Sequence, residues 1–270
     1  MTNRPATLEC HKQVVGEVIH AMRRDPSAPF DLESMAALVF MSEGHFLRTF
    51  EEVTGVSPAR FLAALRIERA KRMLLETSLP VTSICLEAGY NSQGTFTRLF
   101  AEFVGLPPMS FRKLREDLTP QSLHVLIADY LRRQARRRSL PTSETLSGTV
   151  RAPVDFSGVI FVGSYASVVP RGRPMAGALL LHPGKCGFEI TGTSRPRCVF
   201  AAAFPTHSDS IRYLLPSQDE LLVASAVVPA ELPDPPARWR CDLTLRPPEH
   251  FDPPILTALP LLLKVVGQKN

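Results

Sequence analysis

The sequence lacks any apolar run of the roughly 20 residues that a membrane-spanning helix requires. Its most apolar stretch, from Ile255 to Val266, is broken by Pro260 and reads as a core strand, or as a short helix followed by one. Cysteine is sparse and unpatterned. Cys10, Cys85, Cys186, Cys198 and Cys241 form no CxxC pair, and no apolar leader precedes them, so a disulfide framework is not expected and a reducing cytosol fits best. The chain also has no phosphate-binding glycine loop, no nucleophile elbow and no paired histidines at metal spacing. No catalytic residue, metal site or cofactor is therefore expected. Neither sign of charge dominates: 31 Lys and Arg oppose 26 Asp and Glu, a net charge of +5. That excess suits an anionic partner without identifying one, so the placement of the cations has to decide.

What is present divides near residue 147, with 9 prolines before it and 16 after it. The 270 residues are enough for two domains, each with its own core. Upstream, apolar residues recur at helical spacing, as in Val14, Val15, Val18, Ile19 and Met22. Downstream, short β-prone runs are separated by Gly and Pro: 159–162, 178–181, 198–204, 221–228 and 238–245. That spacing predicts a small antiparallel sandwich or barrel. Between the halves, residues 121–138 read as a helix ending in Arg132, Arg133, Arg136, Arg137 and Arg138, and 139–147 as a linker. Those arginines either track DNA phosphates or form a solvated helix end favoured by the C-terminal dipole.

An internal repeat carries the most information. Ser42-Glu-Gly-His-Phe-Leu-Arg-Thr-Phe50 returns fifty residues later as Ser92-Gln-Gly-Thr-Phe-Thr-Arg-Leu-Phe100, and Gly55, Pro58 and Phe61 match Gly105, Pro108 and Phe111 at the same offset. Each copy has a helix-turn-helix grammar: a short apolar helix (32–39 or 81–88), a tight turn, then a second helix capped by Ser42 or Ser92. Phe46 and Phe50, or Phe96 and Phe100, stand four apart and pack inward. Glu43, Gly44, Leu47 and Arg48 then face outward in the first copy, and Gln93, Gly94, Thr95, Thr97 and Arg98 in the second. Arginine pairs with guanine, glutamine with adenine, and threonine with phosphate or a thymine methyl, so these residue types suit a DNA major groove. A single helix over 58–77, with Ser57 as cap and Pro58 at its first position, joins the copies. At 1.5 Å per residue it is roughly 30 Å long, close to the ~34 Å advance of one DNA turn.

Residues 8–115 resemble the two-unit DNA-binding domain of the AraC/XylS family, through Ile84-Cys85, Ala88-Gly89-Tyr90, Ser92, Phe96, Arg98-Leu-Phe100, Gly105, Pro108 and Phe111-Arg112. The resemblance implies a seven-helix all-α domain over 1–118, Arg112 among its DNA-binding residues, activation of transcription through contact with RNA polymerase, and an attached domain for ligand sensing or dimerisation. Phe40 stands where the family commonly has glycine, and Gly44 where a base-reading side chain is often found. The domain comes first here, so the regulatory half has to be C-terminal. Residues 119–147 are then the arginine-rich helix and linker, and 148–270 a mostly-β, sandwich-like domain that takes a small-molecule effector or a second copy of the chain. Gly148-Thr-Val150, 159–163, Gly187-Phe-Glu-Ile190 and 199–204 resemble transthyretin-like or carboxypeptidase-regulatory-like sandwiches, which implies seven strands, with 171–174 and 207–209 on loops. Asp252-Pro-Pro254 reads as a rigid turn.

Two other functions compete. An enzyme that borrows a DNA reader, as alkylation-repair methyltransferases with a similar domain do, requires an activated cysteine; Cys10 alone has an adjoining His, His11, and no cysteine stands in a Pro-Cys-His context. A protein-interaction module needs no salt-dependent DNA binding. His182, Cys186, Cys198 and Cys241 offer groups for a metal or redox sensor, against the ordinary role of buried cysteine as a small core hydrophobe.

Overall fold

The computed structural model describes residues 4–138, 145–167, 170, 172–181, 185–191, 196–206, 210–217, 219–228, 239–256 and 258–259. The chain forms two compact units, a helical one of Met1–Arg112 with Glu249–Leu256, and a β unit of Lys113–Pro248 with Thr257–Asn270.

The helical unit contains α1 (Arg4–Arg24), α2 (Leu32–Leu38), α3 (Glu43–Thr54), α4 (Pro58–Glu76), α5 (Val81–Glu87), α6 (Gln93–Val104) and the start of α7 (Pro108–Asp117). The repeat is visible in its core. Phe46, Phe50 and Phe61 form a row with ring centroids 5.6 and 5.7 Å apart, and Phe96, Phe100 and Phe111 a second with 5.8 and 5.7 Å. All six rings are buried, in the edge-to-face or tilted pairings that aromatic quadrupoles favour. Helices α3 and α6 end alike, on Gly55 (φ 75°) and Gly105 (φ 93°), whose N–H groups return to Glu51 and Ala101 at 2.9 Å. Helix α4 buries ten side chains, more than one stripe can hold, because both halves pack on it.

The two turns differ. Val39–Met41 connect α2 to Ser42, whereas the longer Ala88–Asn91 connect α5 to Ser92. The left-handed residue is Phe40 (φ 55°) in one and Gly89 (φ 87°) in the other. A side chain pays about 1 kcal/mol or more in that region, and Phe40, 98% exposed, buries nothing to offset it. Phe40→Gly is expected to stabilise the helical unit by about 1 kcal/mol, read as a higher urea midpoint for loss of helix.

The β unit opens with the end of α7 and α8 (Pro120–Arg138), followed by β1 (Thr145–Arg151), β2 (Gly158–Tyr165), β3 (Ala176–Leu180), β4 (Lys185–Thr191), β5 (Cys198–Pro205), β6 (Leu222–Val227) and β7 (Trp239–Thr244). The strands make two sheets, ordered β4-β1-β7 and β3-β2-β5-β6. One apolar core is shared by Leu146, Phe188 and Leu243 of the first and Ile160, Ala178 and Val199 of the second, as in a two-layer sandwich.

Three expectations need correction. The sheets are not wholly antiparallel: β1 pairs with β7 in parallel, because β6 and β7 lie in different sheets and β7 arrives by crossover rather than by a hairpin. The helix expected over 121–138 is there as α8, but it is part of the β unit and not a connector between domains, and residues 139–144 lie outside the described residues. The Gln134 amide of α8 accepts from Leu179 N at 2.7 Å and donates to Leu179 O at 3.3 Å. The side chain thereby pairs an edge strand that would otherwise be open. Tyr130 packs on Phe161 with centroids 6.2 Å apart, and Thr145–Ser147 are already strand. Finally, 148–270 is not one body, since Glu249–Leu256 belong to the helical unit. Asp252 turns the chain there, its N–H donating to Glu249 O at 3.0 Å and its Oδ2 accepting from Glu249 N at 2.6 Å. Ile255 and Leu256 are not strand; residues 260–266, His182, Arg171 and the 207–209 loop lie outside the described residues.

Candidate nucleic-acid interface

The exposed faces of α3 and α6 follow from the phenylalanine pairs. With Phe46, Thr49 and Phe50 buried, Glu43, Gly44, His45 and Arg48 are exposed on α3; with Phe96 and Phe100 buried, Gln93, Gly94, Thr95 and Arg98 are exposed on α6. Leu47 and Thr97, expected on these faces, are only partly exposed and lie at their margins. His45 was absent from the expected set; its place between Gly44 and the inward Phe46 was the signal for it. Ser92 caps α6 by accepting from Thr95 N at 3.3 Å. Ser42 occupies the same position on α3 without a side-chain bond. Ahead of α3, a capping box between Asp31 and Ser34 starts α2, with bonds of 2.8 and 3.0 Å.

The two arginines are held differently. Arg98 Nη1 lies 3.7 Å from Glu102 Oε2 one turn along, with 69% of its side chain exposed. Such a pair contributes only about 0.3–0.5 kcal/mol and a phosphate or base edge can displace it. In α3 the matching acid, Glu52, lies 3.3 Å from His11 Nδ1, and Arg48 instead folds over Gly44, its Nη1 3.6 Å from where a β-carbon would stand. At Gly94 the nearest atom to such a carbon is Ser92 Oγ at 3.9 Å. Neither glycine is demanded by packing within the chain.

The halves are tied together by Arg66 of α4. Its Nε donates to Pro26 O at 2.8 Å and its Nη2 to Ala28 O at 2.9 Å, in the α1–α2 connection, while its guanidinium lies 5.6 Å above the Tyr90 ring in the second turn. Burial pulls the Arg66 pKa down and pushes that of Tyr90 up to about 12. Gly89 fits under this clamp because a β-carbon there would sit 2.9 Å from Ser27 Cα.

A family of helix-turn-helix domains matches residues 35–114. A Haemophilus influenzae HTH-type transcriptional regulator is 34% identical over 93 residues, which are 34% of this chain and 31% of the relative. The RCS-specific transcriptional activator RclR of Escherichia coli K12 is 32% identical over 106 residues, 39% of this chain and 37% of RclR. A Streptomyces lividans protein named as an AraC-like transcription regulator is 29% identical over 100 residues, 37% of this chain and 33% of the relative. Residues 35–114 form an AraC-type helix-turn-helix domain. The chain spans about a third of the length of these curated relatives.

Within the AraC-type domain, Arg112, which the resemblance puts among the DNA-binding residues, is half-buried. Its Nε donates to Leu74 O at 3.2 Å and its Nη2 to Leu79 O at 2.6 Å, so it closes the end of α4 and the loop before α5. Among the α8 arginines, Arg133 is paired with Asp129 at 2.7 Å, and Arg132 and Arg136 have exposed side chains; the side chains of Arg137 and Arg138 lie outside the described residues. Burial raises the thiol pKa of Cys85 and Cys186, and lifts Cys198 to about 12 and Cys241 to about 11. Thiols shifted upward are poorer nucleophiles and metal ligands at neutral pH. Among the described residues no three His, Cys, Asp or Glu side chains gather as a metal site, and no helix is long and apolar enough to cross a membrane.

Proposed function

We propose that this chain is a sequence-specific DNA-binding regulator of transcription that lays α3 and α6 into successive major grooves of double-stranded DNA. The observation that carries this reading is the pair of matched helices with exposed polar faces on one 19-residue spacer. That spacer is roughly 28 Å long, against the ~34 Å of a DNA turn. The paired glycines support it. Glycine inside a helix costs about 1 kcal/mol; packing within the chain does not require Gly44 or Gly94, and a DNA backbone approaching both helices closely gives a reason for each. Gln93, Thr95, Thr97 and Arg98 supply base-reading groups on α6; Glu43, Leu47 and Arg48, with His45, do so on α3. Arg132 and Arg136 are added phosphate contacts. Activation through RNA polymerase in the bacterial cytoplasm, with the β unit taking a small effector or a second copy of the chain, belongs to the same proposal; the name of one relative, a transcriptional activator, supports activation. The upward-shifted thiols argue against cysteine-based methyl transfer at Cys85, Cys186, Cys198 or Cys241.

Selection from a random-sequence duplex pool at physiological salt tests the reading. Arg98→Ala should weaken binding to the selected duplex about 10- to 100-fold, as expected for loss of a bidentate base contact, and relax base choice more broadly than Arg48→Ala. Arg132→Gln with Arg136→Gln should reduce the salt slope without altering base choice. Equal affinity for selected and scrambled duplexes would sink the proposal.

A further inference from the structure

Glu249–Leu256 belong to the helical unit although the chain on either side of them belongs to the β unit. Two cations hold this segment by its backbone. Arg23, in the last turn of α1, donates from Nη2 to the carbonyls of His250 and Asp252 at 3.3 and 3.4 Å. Lys71, fully buried on α4, donates from Nζ to the Leu256 carbonyl at 2.7 Å. The cations take similar places against the two aromatic rows: Arg23 lies 5.8 Å above Phe61 and Lys71 5.5 Å above Phe111, the last ring of each row. Each helix-turn-helix half therefore offers one ring-backed cation, and the segment takes a bond from both. Between these anchors the Phe251 ring covers Gly16 of α1, 3.7 Å from where a β-carbon would be.

We infer that Glu249–Leu256 is a brace across the two helix-turn-helix halves that sets the separation of α3 and α6. This rests on the DNA-reading function proposed above. A stretch of backbone carbonyls that begins in a turn is the ligand that Arg23 and Lys71 jointly fit, and the chain supplies it from its own C-terminal part.

The brace is tested in the full chain by two independent undocking substitutions, Gly16→Leu, whose side chain takes the place of the Phe251 ring, and Phe251→Ser; Gly16→Ala, whose methyl fits beside that ring, is the control. Hydrogen exchange should accelerate about tenfold or more in 249–256 and in the last turns of both α1 and α4 in the undocked variants, and stay at wild-type rates in the control. Release of the segment with α1 and α4 unchanged would overturn the inference. The DNA arm uses duplexes selected by the wild-type protein, with one base pair inserted between half-sites, which rotates the second by roughly 34°. Wild type should lose about tenfold in affinity on insertion and the undocked variants less than about threefold, with single half-site binding unchanged. An equal penalty in wild type and variants would also overturn it. If wild type selects no sequence, the DNA-reading proposal fails, and the exchange result alone decides the brace.

Discussion

Gly89→Ala should cost the helical unit about 3 kcal/mol, the sum of a left-handed side chain at about 1–2 kcal/mol and overpacking at about 1–3 kcal/mol. The backbone at Gly89 has φ 87°, and the new methyl would lie 2.9 Å from Ser27 Cα and 3.0 Å from Arg66 Nε. The first contact is with backbone and cannot swing aside; the second displaces the guanidinium that ties the α1–α2 connection to Tyr90. Gly55→Ala separates the two costs. Gly55 has φ 75° with nothing within 4 Å of a β-carbon, so only the conformational cost applies, about 1 kcal/mol. Urea unfolding followed by amide exchange within α4 and α5 reads both. Equal losses at Gly55 and Gly89 would show that the close approach to Ser27 carries no energy.

The second large effect is a pH dependence that Lys71→Met should abolish. Burial drives the Lys71 ammonium down from 10.5 to about 8, partly opposed by Glu68. The folded pKa lies below the unfolded one, so the unfolded chain holds this proton more tightly and folding releases it. Stability must then rise with pH between about 8 and 10.5, and the buried charge is a burden below pH 8. Tyr90, raised to about 12, and the thiols of Cys85, Cys186, Cys198 and Cys241, raised by burial from 9.0, work in the opposite sense as pH rises, but they are common to wild type and variant and cancel in the difference between them. The window to compare is pH 7 to 10. Wild type should gain about 2–3 kcal/mol over Lys71→Met across it, at 1.36 kcal/mol per pKa unit, measured as the difference between their urea-unfolding free energies. Parallel curves would mean that the Leu256 carbonyl and the Phe111 ring stabilise the ammonium enough to cancel its desolvation.

Much of the helical unit was legible because its determinants are local. The apolar period, the Pro58 start of α4, the glycine ends at Gly55 and Gly105, and the matched phenylalanines all act within a few turns of helix, and the duplication states each of them twice. The outward arginines were legible for the same reason: once Phe46 and Phe50 point inward, Arg48 has to point out. The backbone bonds of Arg112 were not legible because its position one residue after a core phenylalanine says nothing of the carbonyls at Leu74 and Leu79, which lie 38 and 33 residues earlier in the chain. Gln134 is a similar case, since its pairing with Leu179 has no sequence pattern and depends on which strand lies at the edge of the sheet.

By itself, the sequence determined the paired recognition helices, their spacing and the chemistry they expose, because helix periodicity and side-chain type settle these without distant contacts. Tertiary structure alone decided what the chain does with its polar groups over long separations: the parallel β1–β7 pairing, the capture of α8 by the β unit, the Arg66 clamp, and the return of Glu249–Leu256 to Arg23 and Lys71. In each of these, buried donors and acceptors must find partners or pay for desolvation, and the partners lie tens to hundreds of residues away, where no local rule reaches.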